Sequence, residues 1–459
     1  MSIVGAFMVP HPPLIIPTVG KGEESQIRKT TESYQKVAEC IAELQPETII
    51  ISTPHTTIYS DYFHISPGSR ATGSFAMFGA PETSFEEIYD EEFVQELASL
   101  AETKKIPAGT EGEQNPHLDH GTMVPLYFIR QKYNNFKLVR IGISGLPLVD
   151  HYKVGEMIKE IADKLNRRVV YVASGDLSHK LQKYGPYGFA PEGPIYDEKI
   201  MDVCSRASFK ELFAFSETLL EKSAECGHPS FTMMAGALDG TEVETTALTH
   251  EDITGVGYGL CYYIPTHPDE NRQFLKQYIN ELEQKKQNEK HDEYVKLAIA
   301  TLDKYIKYKE RLSLPDNLPK EMLEERAGVF VSIHKFDKLR GCIGTFLPVQ
   351  SCIGAEIINN AISAATEDPR FSPIREDELP YLDINVDVLS TPEDISSKEE
   401  LDVKKYGVIV SSGFKRGLLL PDLDGIDDVD TQVSIAMQKG DIKPNDPIKL
   451  QRFEVIRHR

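Results

Sequence analysis

The chain has 459 residues, 40% of them hydrophobic, and its 71 acidic side chains outnumber its 50 basic ones. The net charge of −21 repels phosphate backbones and anionic lipids, which argues against nucleic acid and membrane surfaces as partners. No stretch approaches the ~18 consecutive apolar residues that a membrane span needs. The cysteines are scattered without a CxxC pair, which is typical of a reducing compartment. We therefore expect a cytoplasmic protein with two domains.

Short apolar runs rich in β-branched residues alternate with helix-compatible segments in the first part of the chain. This alternation predicts an α/β domain in which a mostly parallel sheet is flanked by helices, with functional loops at one end of the strands. We place this domain at residues 1–265. The predicted elements are strands at 3–9, 48–52, 136–143 and 168–174, and helices at 24–44, 154–165 and 231–238.

A charged segment at residues 266–290 separates this domain from the rest of the chain. It consists mainly of charged and amide residues, a composition typical of a solvated helix or a tether. Residues 291–459 predict a smaller α+β domain, because helical spacing is followed by strand-like runs. The predicted elements are helices at 294–306 and near 355–365, and strands at 328–333 and 382–389.

Four histidines lie in short segments where an apolar run enters a turn. They are His11, His55, His120 and His179, and each stands beside Pro, Asp, Gly or Ser. A neutral imidazole binds transition metals and titrates near neutral pH. A single histidine at a strand end is more often a hydrogen-bonded structural residue, but four in the same setting favour a metalloenzyme site.

The segments Pro10-His11-Pro12, Pro54-His55, Asp119-His120-Gly-Thr and Ser174-Gly-Asp-Leu-Ser-His179 resemble, in order and spacing, the motifs of the class III extradiol ring-cleaving dioxygenases. This LigB-like superfamily also contains the Memo proteins. The resemblance covers about residues 1–264. It implies Fe(II) and a small catecholic or related aromatic substrate, with His11 and His55 as metal ligands and His120 and His179 as acid/base groups. Asp119 and Asp176 either orient these imidazoles or cap turns.

The third metal ligand is where the sequence departs from the dioxygenase pattern. Many relatives use a glutamate, whereas this chain has Ala224-Glu225-Cys226-Gly-His228, which resembles the Memo version with cysteine. We take Cys226 first, His228 second and Glu225 third; a buried structural cysteine is the alternative. Because a thiolate also suits Zn and Cu, the same residues fit a metal-binding redox or regulatory module, or metal-assisted chemistry without dioxygen.

In the second domain, Lys338-Leu-Arg-Gly-Cys342-Ile-Gly344 and Thr366-Glu-Asp-Pro-Arg370-Phe resemble the AmmeMemoRadiSam system protein A family, the Ammecr domain. This resemblance spans about residues 290–459 and implies a radical S-adenosylmethionine protein as a partner. Cys342 is either an exposed reactive thiol favoured by Arg340 or a buried cysteine in a turn. Arg370 either binds an anion or pairs with Glu367 or Asp368. Association into a homo-oligomer stays open.

Overall fold

The structure is a computed structural model that describes residues 1–288, 290–336, 338–423 and 425–459. The chain forms two compact units, Met1–Glu281 and Leu282–Arg459. Helix α9 (Phe274–Asn288) contains the point of division. The domain limits predicted at residues 265 and 291 stay predictions.

The first unit combines ten strands with eight α-helices before α9, counted over its described residues. The strands are β1 (Ile3–Val9), β2 (Thr48–Thr53), β3 (Phe63–His64), β4 (Arg70–Phe75), β5 (Ala80–Ile88), β6 (Ala108–Gly109), β7 (Lys137–Gly142), β8 (Val169–Ser174), β9 (Thr241–Glu251) and β10 (Tyr258–Pro268). The helices are α1 (Pro17–Gly20), α2 (Arg28–Leu44), α3 (Glu91–Lys104), α4 (His120–Ile129), α5 (Leu148–Lys164), α6 (Glu192–Ser205), α7 (Glu217–Ser223) and α8 (His228–Ala237).

The main sheet of the first unit has six strands in the order β7-β2-β8-β1-β10-β9. Strands β7, β2, β8 and β1 run parallel, and β10 and β9 are antiparallel additions at one side. Parallel strands are buried on both faces, which explains why β2 and β8 are apolar and buried throughout. The predicted mostly parallel α/β domain is confirmed.

Helices cover both faces of this sheet. Phe7 and Val9 of β1 share a core with Tyr34 of α2 and Phe128 of α4. Helix α8 packs on the opposite face, where the hydroxyl of Ser230 lies 2.5 Å from that of Ser52. The alternation of side chains along each strand therefore supplies two cores from one sequence.

The described residues of the second unit form an antiparallel sheet of seven strands in the order β12-β11-β13-β17-β15-β16, with β14 paired to β17. Helices α10 and α12 cover β11 and β13, and α13 covers β15 and β16. This arrangement confirms the predicted α+β class. The strands are β11 (Gly328–Lys335), β12 (Lys338–Gly344), β13 (Leu382–Leu389), β14 (Glu393–Ile395), β15 (Tyr406–Ser412), β16 (Lys415–Leu419) and β17 (Lys449–His458), and the helices are α10 (Glu293–Tyr308), α11 (Lys320–Glu324), α12 (Ile353–Thr366) and α13 (Val429–Lys439).

Two helices begin earlier in the structure than the sequence predicts. Helix α5 begins at Leu148, directly after Pro147, and α8 begins at His228, where Pro229 occupies the first turn. Proline is favoured in the first turn of a helix because it has no N–H to leave unpaired. The missed first turns contain buried polar residues, such as His151 of α5 and His228 of α8, which interrupt the apolar spacing. Among the described residues, no helix has both the length and the apolar character to cross a bilayer.

Candidate metal centre

Three neighbouring parallel strands end at the same edge of the main sheet. Strand β8 lies between β2 and β1, so the loops that follow these strands meet. His11 follows β1, His55 follows β2, and Asp176 follows β8. Loops at the carboxyl ends of parallel strands commonly form the site of an α/β protein. The topology thus brings together residues that are far apart in sequence.

His11 is held in a fixed orientation from two directions. Its backbone N–H donates to Asp176 Oδ1 at 2.7 Å, and its ring atom Nδ1 lies 2.9 Å from the hydroxyl oxygen of Ser174. The residue is almost fully buried. Because Nδ1 is engaged by Ser174, Nε2 is the atom that remains for the centre, an arrangement typical of metal-binding histidines.

His11, His55 and Cys226 form a compact group of potential ligands. The two Nε2 atoms are 3.0 Å apart, and His11 Nε2 lies 3.6 Å from Cys226 Sγ. All three ligand atoms lie within 4.8 Å of one another. His11 is buried, Cys226 is half-buried and His55 is exposed, so the group is open to solvent on one side.

Two glycines allow Cys226 to reach this position. A Cβ at Gly175 would lie 2.1 Å from the Cα of Gly227, so any side chain there would separate the two loops. The close approach lets the backbone N–H of Asp176 donate to Cys226 Sγ at 3.3 Å. The loop before α8 is thereby attached to the loop after β8.

His228 and Glu225 lie next to Cys226 in sequence but are engaged elsewhere. The His228 ring is fully buried, with Nε2 3.0 Å from the carbonyl oxygen of Leu212 and Nδ1 3.4 Å from the hydroxyl of Tyr196. Glu225 accepts a hydrogen bond from the His228 backbone N–H at 2.6 Å. Across residues 1–288, 290–336, 338–423 and 425–459, the potential metal group contains neither of them.

His120 is the first residue of α4 and lies against the other rings. Its ring centroid is 4.0 Å from that of His55 and 5.4 Å from that of His11. Phe78, in the segment between β4 and β5, meets His120 edge-on at 5.4 Å. Asp119 caps the helix by accepting from the Thr122 N–H at 3.0 Å.

His179 stands beside the same group on the loop after β8. Its backbone N–H donates to the carbonyl oxygen of Ser223 at 3.1 Å. Its ring stacks on Tyr187, with centroids 4.9 Å apart, and Tyr187 is exposed on its other side. Tyr187 therefore covers His179 towards solvent.

Burial keeps these imidazoles neutral. It lowers the pKa of His120 to about 4, with His55 acting in the same direction, and it lowers the pKa of His179 to about 4, again helped by His55. It also lowers the pKa of His11 well below the usual range. Neutral imidazoles can bind a metal ion, whereas protonated ones cannot. Burial raises the pKa of the Cys226 thiol, and Asp176 and Glu225 add to this, so a cation has to displace its proton.

The first unit matches the family described as "Catalytic LigB subunit of aromatic ring-opening dioxygenase" over residues 5–261, which is more than half of the chain. The chain belongs to the LigB family. Residues 295–458 match the AMMECR1 family, so a LigB/Memo-like domain is followed by an AMMECR1 domain, as the sequence motifs predict. The fold around the histidines is thus that of the LigB family.

Proteins similar to this chain match either its whole length or only part of it. Protein CA_C1420 of Clostridium acetobutylicum is 38% identical over 467 residues, and the match covers 100% of both chains. A protein of Thermotoga maritima is 47% identical over 168 residues, which is 36% of this chain and 97% of the relative. The crystal structure of uncharacterized protein JW3007 from Escherichia coli K12 is 16% identical, covers 57% of this chain and 99% of its own, and has a TM-score of 0.38. The names of these proteins state no activity.

In the second unit, the residues around Cys342 form hydrogen bonds and ion pairs with one another. Cys342 is half-buried on β12, and its Sγ accepts from the Ser332 hydroxyl at 3.3 Å. Arg340 is bound to Glu378, with Nη2 2.9 Å from Oε1, and not to the thiol. Arg370 pairs with Asp368 at 2.7 Å and also donates to the Cys342 carbonyl oxygen at 3.3 Å. Of the alternatives predicted for Arg370, the structure shows the ion pair with Asp368.

Sequence reasoning missed three contributors to the centre. Ser174 orients His11, Phe78 packs against His120, and Thr53 accepts a hydrogen bond from the His55 N–H at 3.2 Å. Ser174 begins one recognised motif and Thr53 directly precedes another, and each ends a buried strand, which was the available signal. Phe78 lies between two short strands with no motif near it, so nothing in the sequence indicates its role.

Proposed function

We propose that the protein is a non-haem, metal-dependent oxidoreductase of the extradiol type that acts on a small catecholic or related aromatic substrate. The observation that carries this proposal is the meeting of His11, His55 and Cys226, whose ligand atoms lie within 4.8 Å of one another. His120 and His179 lie beside this trio and supply two more imidazoles. Membership in the LigB family supports the same reaction class.

The three donors fit a transition-metal ion. Imidazole nitrogens lie about 2.0–2.1 Å and a thiolate sulfur about 2.3 Å from such an ion, so donors on one ion are separated by roughly 3–4 Å. The structure has 3.0 Å between the two Nε2 atoms and 3.6 Å between His11 Nε2 and Cys226 Sγ. We propose Fe(II) as the ion, with Zn or Cu as alternatives, because imidazole and thiolate suit all three.

A bound Fe(II) ion would supply Lewis acidity towards the substrate oxygens and electrons for the reduction of dioxygen. The protein itself handles the protons. Because His179 is neutral, a ring nitrogen of His179 can accept the proton that a phenol loses on binding. The ring N–H of neutral His120 can donate a hydrogen bond to a substrate oxygen. Phe78 and Tyr187 present aromatic surfaces beside these two rings, which suits an aromatic substrate.

The proposal is tested by loading the full chain with Fe(II) without oxygen, adding a panel of catechols, and then admitting dioxygen. We expect the visible absorbance of a ring-fission product with at least one catechol. His179→Ala should lower the rate by about 10²- to 10⁴-fold, the usual contribution of a general acid/base. A panel that gives no such absorbance with the Fe(II)-loaded wild type would contradict ring cleavage.

Cys226 favours a second candidate, a metal-binding redox or regulatory module without ring cleavage. A thiol 3.6 Å from His11 Nε2 suits a site for Zn or Cu as well as one for iron, because thiolate is a soft ligand. The same site could also perform metal-assisted chemistry that needs no dioxygen. Metal analysis combined with the catechol panel separates these functions: stoichiometric metal without ring cleavage supports this second group, and no bound metal contradicts both candidates.

We also propose a cellular setting for this activity. A metal-binding Cys226 has to stay reduced, and all six cysteines of the chain are free, which suits the cytoplasm. The AMMECR1 domain motivates membership in the AmmeMemoRadiSam system, with a radical S-adenosylmethionine protein as partner. Co-purification of the full chain with such a protein, compared with a control bait of similar charge, would test this assignment.

A further inference from the structure

We infer that Arg140, Asp119 and Thr53 form one buried network that positions both His55 and His120, which makes them positioning residues for the proposed centre. The functional role of this network rests on the proposed metal site, whereas its hydrogen bonds do not depend on that proposal. The network connects β7, the start of α4 and the end of β2, three segments that are distant in sequence.

Arg140 is the buried cation of this network. Its side chain is fully buried, although it lies in an apolar strand, and its guanidinium donates to the Ser66 hydroxyl at 2.7 Å and to the His117 carbonyl oxygen at 2.6 Å. Its Nη1 atom lies 3.6 Å from Asp119 Oδ2. A fully buried guanidinium requires fixed partners on every side. Arg140 therefore fixes the loop that leads into α4.

Asp119 transmits this constraint to His120. Its side chain is 6% exposed, and it caps α4 by accepting from the Thr122 N–H at 3.0 Å and from the Thr122 hydroxyl at 2.9 Å. His120 is the next residue, at the first position of the helix. The direction of the His120 ring thus depends on a cap whose carboxylate is held by Arg140.

Thr53 transmits the same constraint to His55. Its hydroxyl donates to Asp119 Oδ1 at 2.7 Å and accepts from the His55 backbone N–H at 3.2 Å. Both hydrogen bonds use one buried hydroxyl group. Because buried hydrogen-bonded groups act together, a change at Thr53 should move both imidazoles.

The sharpest test compares Thr53→Val with Thr53→Ser in the full chain. Valine keeps the shape of threonine but removes both hydrogen bonds, whereas serine keeps both. We expect the ring signals of His55 and His120 in the metal-free, histidine-labelled protein to shift in Thr53→Val and to stay near wild type in Thr53→Ser. With Zn²⁺ as the probe, Thr53→Val should bind about 10- to 100-fold more weakly than Thr53→Ser, the usual effect of losing a partner that orients a ligand.

A matched control lies at the other end of the same helix. Arg130 at the end of α4 pairs with the buried Glu87, so Arg130→Met removes a comparable ion pair away from the histidines. This variant should lose stability without moving the His55 and His120 signals or the Zn²⁺ affinity.

Unchanged ring signals in Thr53→Val would overturn the inference, and so would equal Zn²⁺ affinities of the two Thr53 variants in a protein that binds the ion. A wild type that binds no Zn²⁺ would refute the proposed metal site, while the ring signals would still decide the network. Thermal unfolding of each variant separates an effect on positioning from a loss of fold. We expect the stability of Thr53→Val to lie between that of Thr53→Ser and that of Arg130→Met.

Discussion

Cys226 and Cys342 are both half-buried cysteines in glycine-containing segments, but their neighbours differ. Around Cys226 the ends of β1 and β2 bring two imidazoles to within reach of the same ion. Around Cys342 the charged groups are already matched, Arg340 with Glu378 and Arg370 with Asp368. The difference follows from the sheets: parallel strands bring several loops to one edge, whereas adjacent antiparallel strands end at opposite edges. A cysteine gains potential ligand partners from the first arrangement and not from the second.

The largest expected effect is the loss of the metal. His11→Ala removes the buried member of the proposed ligand group, so the metal content of the purified protein should fall from about one equivalent to nearly none. Metal analysis by mass spectrometry measures this. His250→Gln is the control, because His250 pairs with Asp197 outside the group and its variant should keep the metal. Equal metal content in wild type and His11→Ala would show that the residues around Cys226 do not bind the metal.

A second experiment compares the two cysteines directly. Cys226→Ser should weaken Zn²⁺ binding by about 10- to 100-fold, because a hydroxyl is a poorer ligand than a thiolate, whereas Cys342→Ser should leave it unchanged. Competition with a chromophoric chelator gives both dissociation constants. If both variants bind like the wild type, the third ligand is another residue.

The pH dependence of stability should show the matched charges of the second unit. Burial raises the pKa of Glu378, but Arg340 and Lys335 outweigh it and lower the pKa to about 2. A carboxyl with a lowered pKa adds stability above its usual pKa near 4.5 and loses it as the pH falls towards 2. Between pH 6 and pH 3 the difference in free energy of unfolding between wild type and Glu378→Gln should shrink by about 1–2 kcal/mol after allowing for solvent screening.

Denaturant unfolding of the full chain at the two pH values measures this difference. His250→Gln serves again as a control, because it changes the first unit and should leave the contribution of Glu378 intact. A difference between wild type and Glu378→Gln that stays constant from pH 6 to pH 3 would show that Glu378 is not held ionised.

The smallest effect is expected at Arg370. Its side chain is 54% exposed, so its ion pair with Asp368 is screened by water. Arg370→Gln should lower the free energy of unfolding by about 0.2–1 kcal/mol, as for other exposed pairs. Urea unfolding at neutral pH measures it. A loss above about 2 kcal/mol would show that the variant leaves Asp368, whose side chain is only 2% exposed, as an unpaired buried charge.

The strands that carry the site were predictable because they are buried on both faces. The predicted strands at 3–9, 48–52 and 168–174 agree with β1, β2 and β8 within one residue at each end, and each is closed by a turn residue. Helix α4 was not predicted, because its apolar run contains Pro125 and shows no amphipathic period. The roles of the ligand and acid/base residues stay predictions.

The network around Arg140 shows where sequence reasoning ends. An arginine inside an apolar strand indicates a buried charge, but it does not identify the partner. Its acidic neighbours, Asp119 at 3.6 Å and Glu113 at 3.7 Å, lie in the segment before α4, which only the folded sheet brings alongside β7. Long-range pairs of this kind have no periodicity, so no local pattern encodes them.

The sequence by itself determined the two domain families, the buried strands and the four histidine motifs, because these depend on local patterns of residues. Only the tertiary structure places Cys226 beside His11 and His55 and turns His228 away from them, although a single residue separates the two. The start of α8 turns the His228 ring into the core against Leu212, while the contact of Gly175 with Gly227 brings Cys226 to His11. The direction of a side chain at a helix start depends on how that helix packs, and packing is a property of the whole fold.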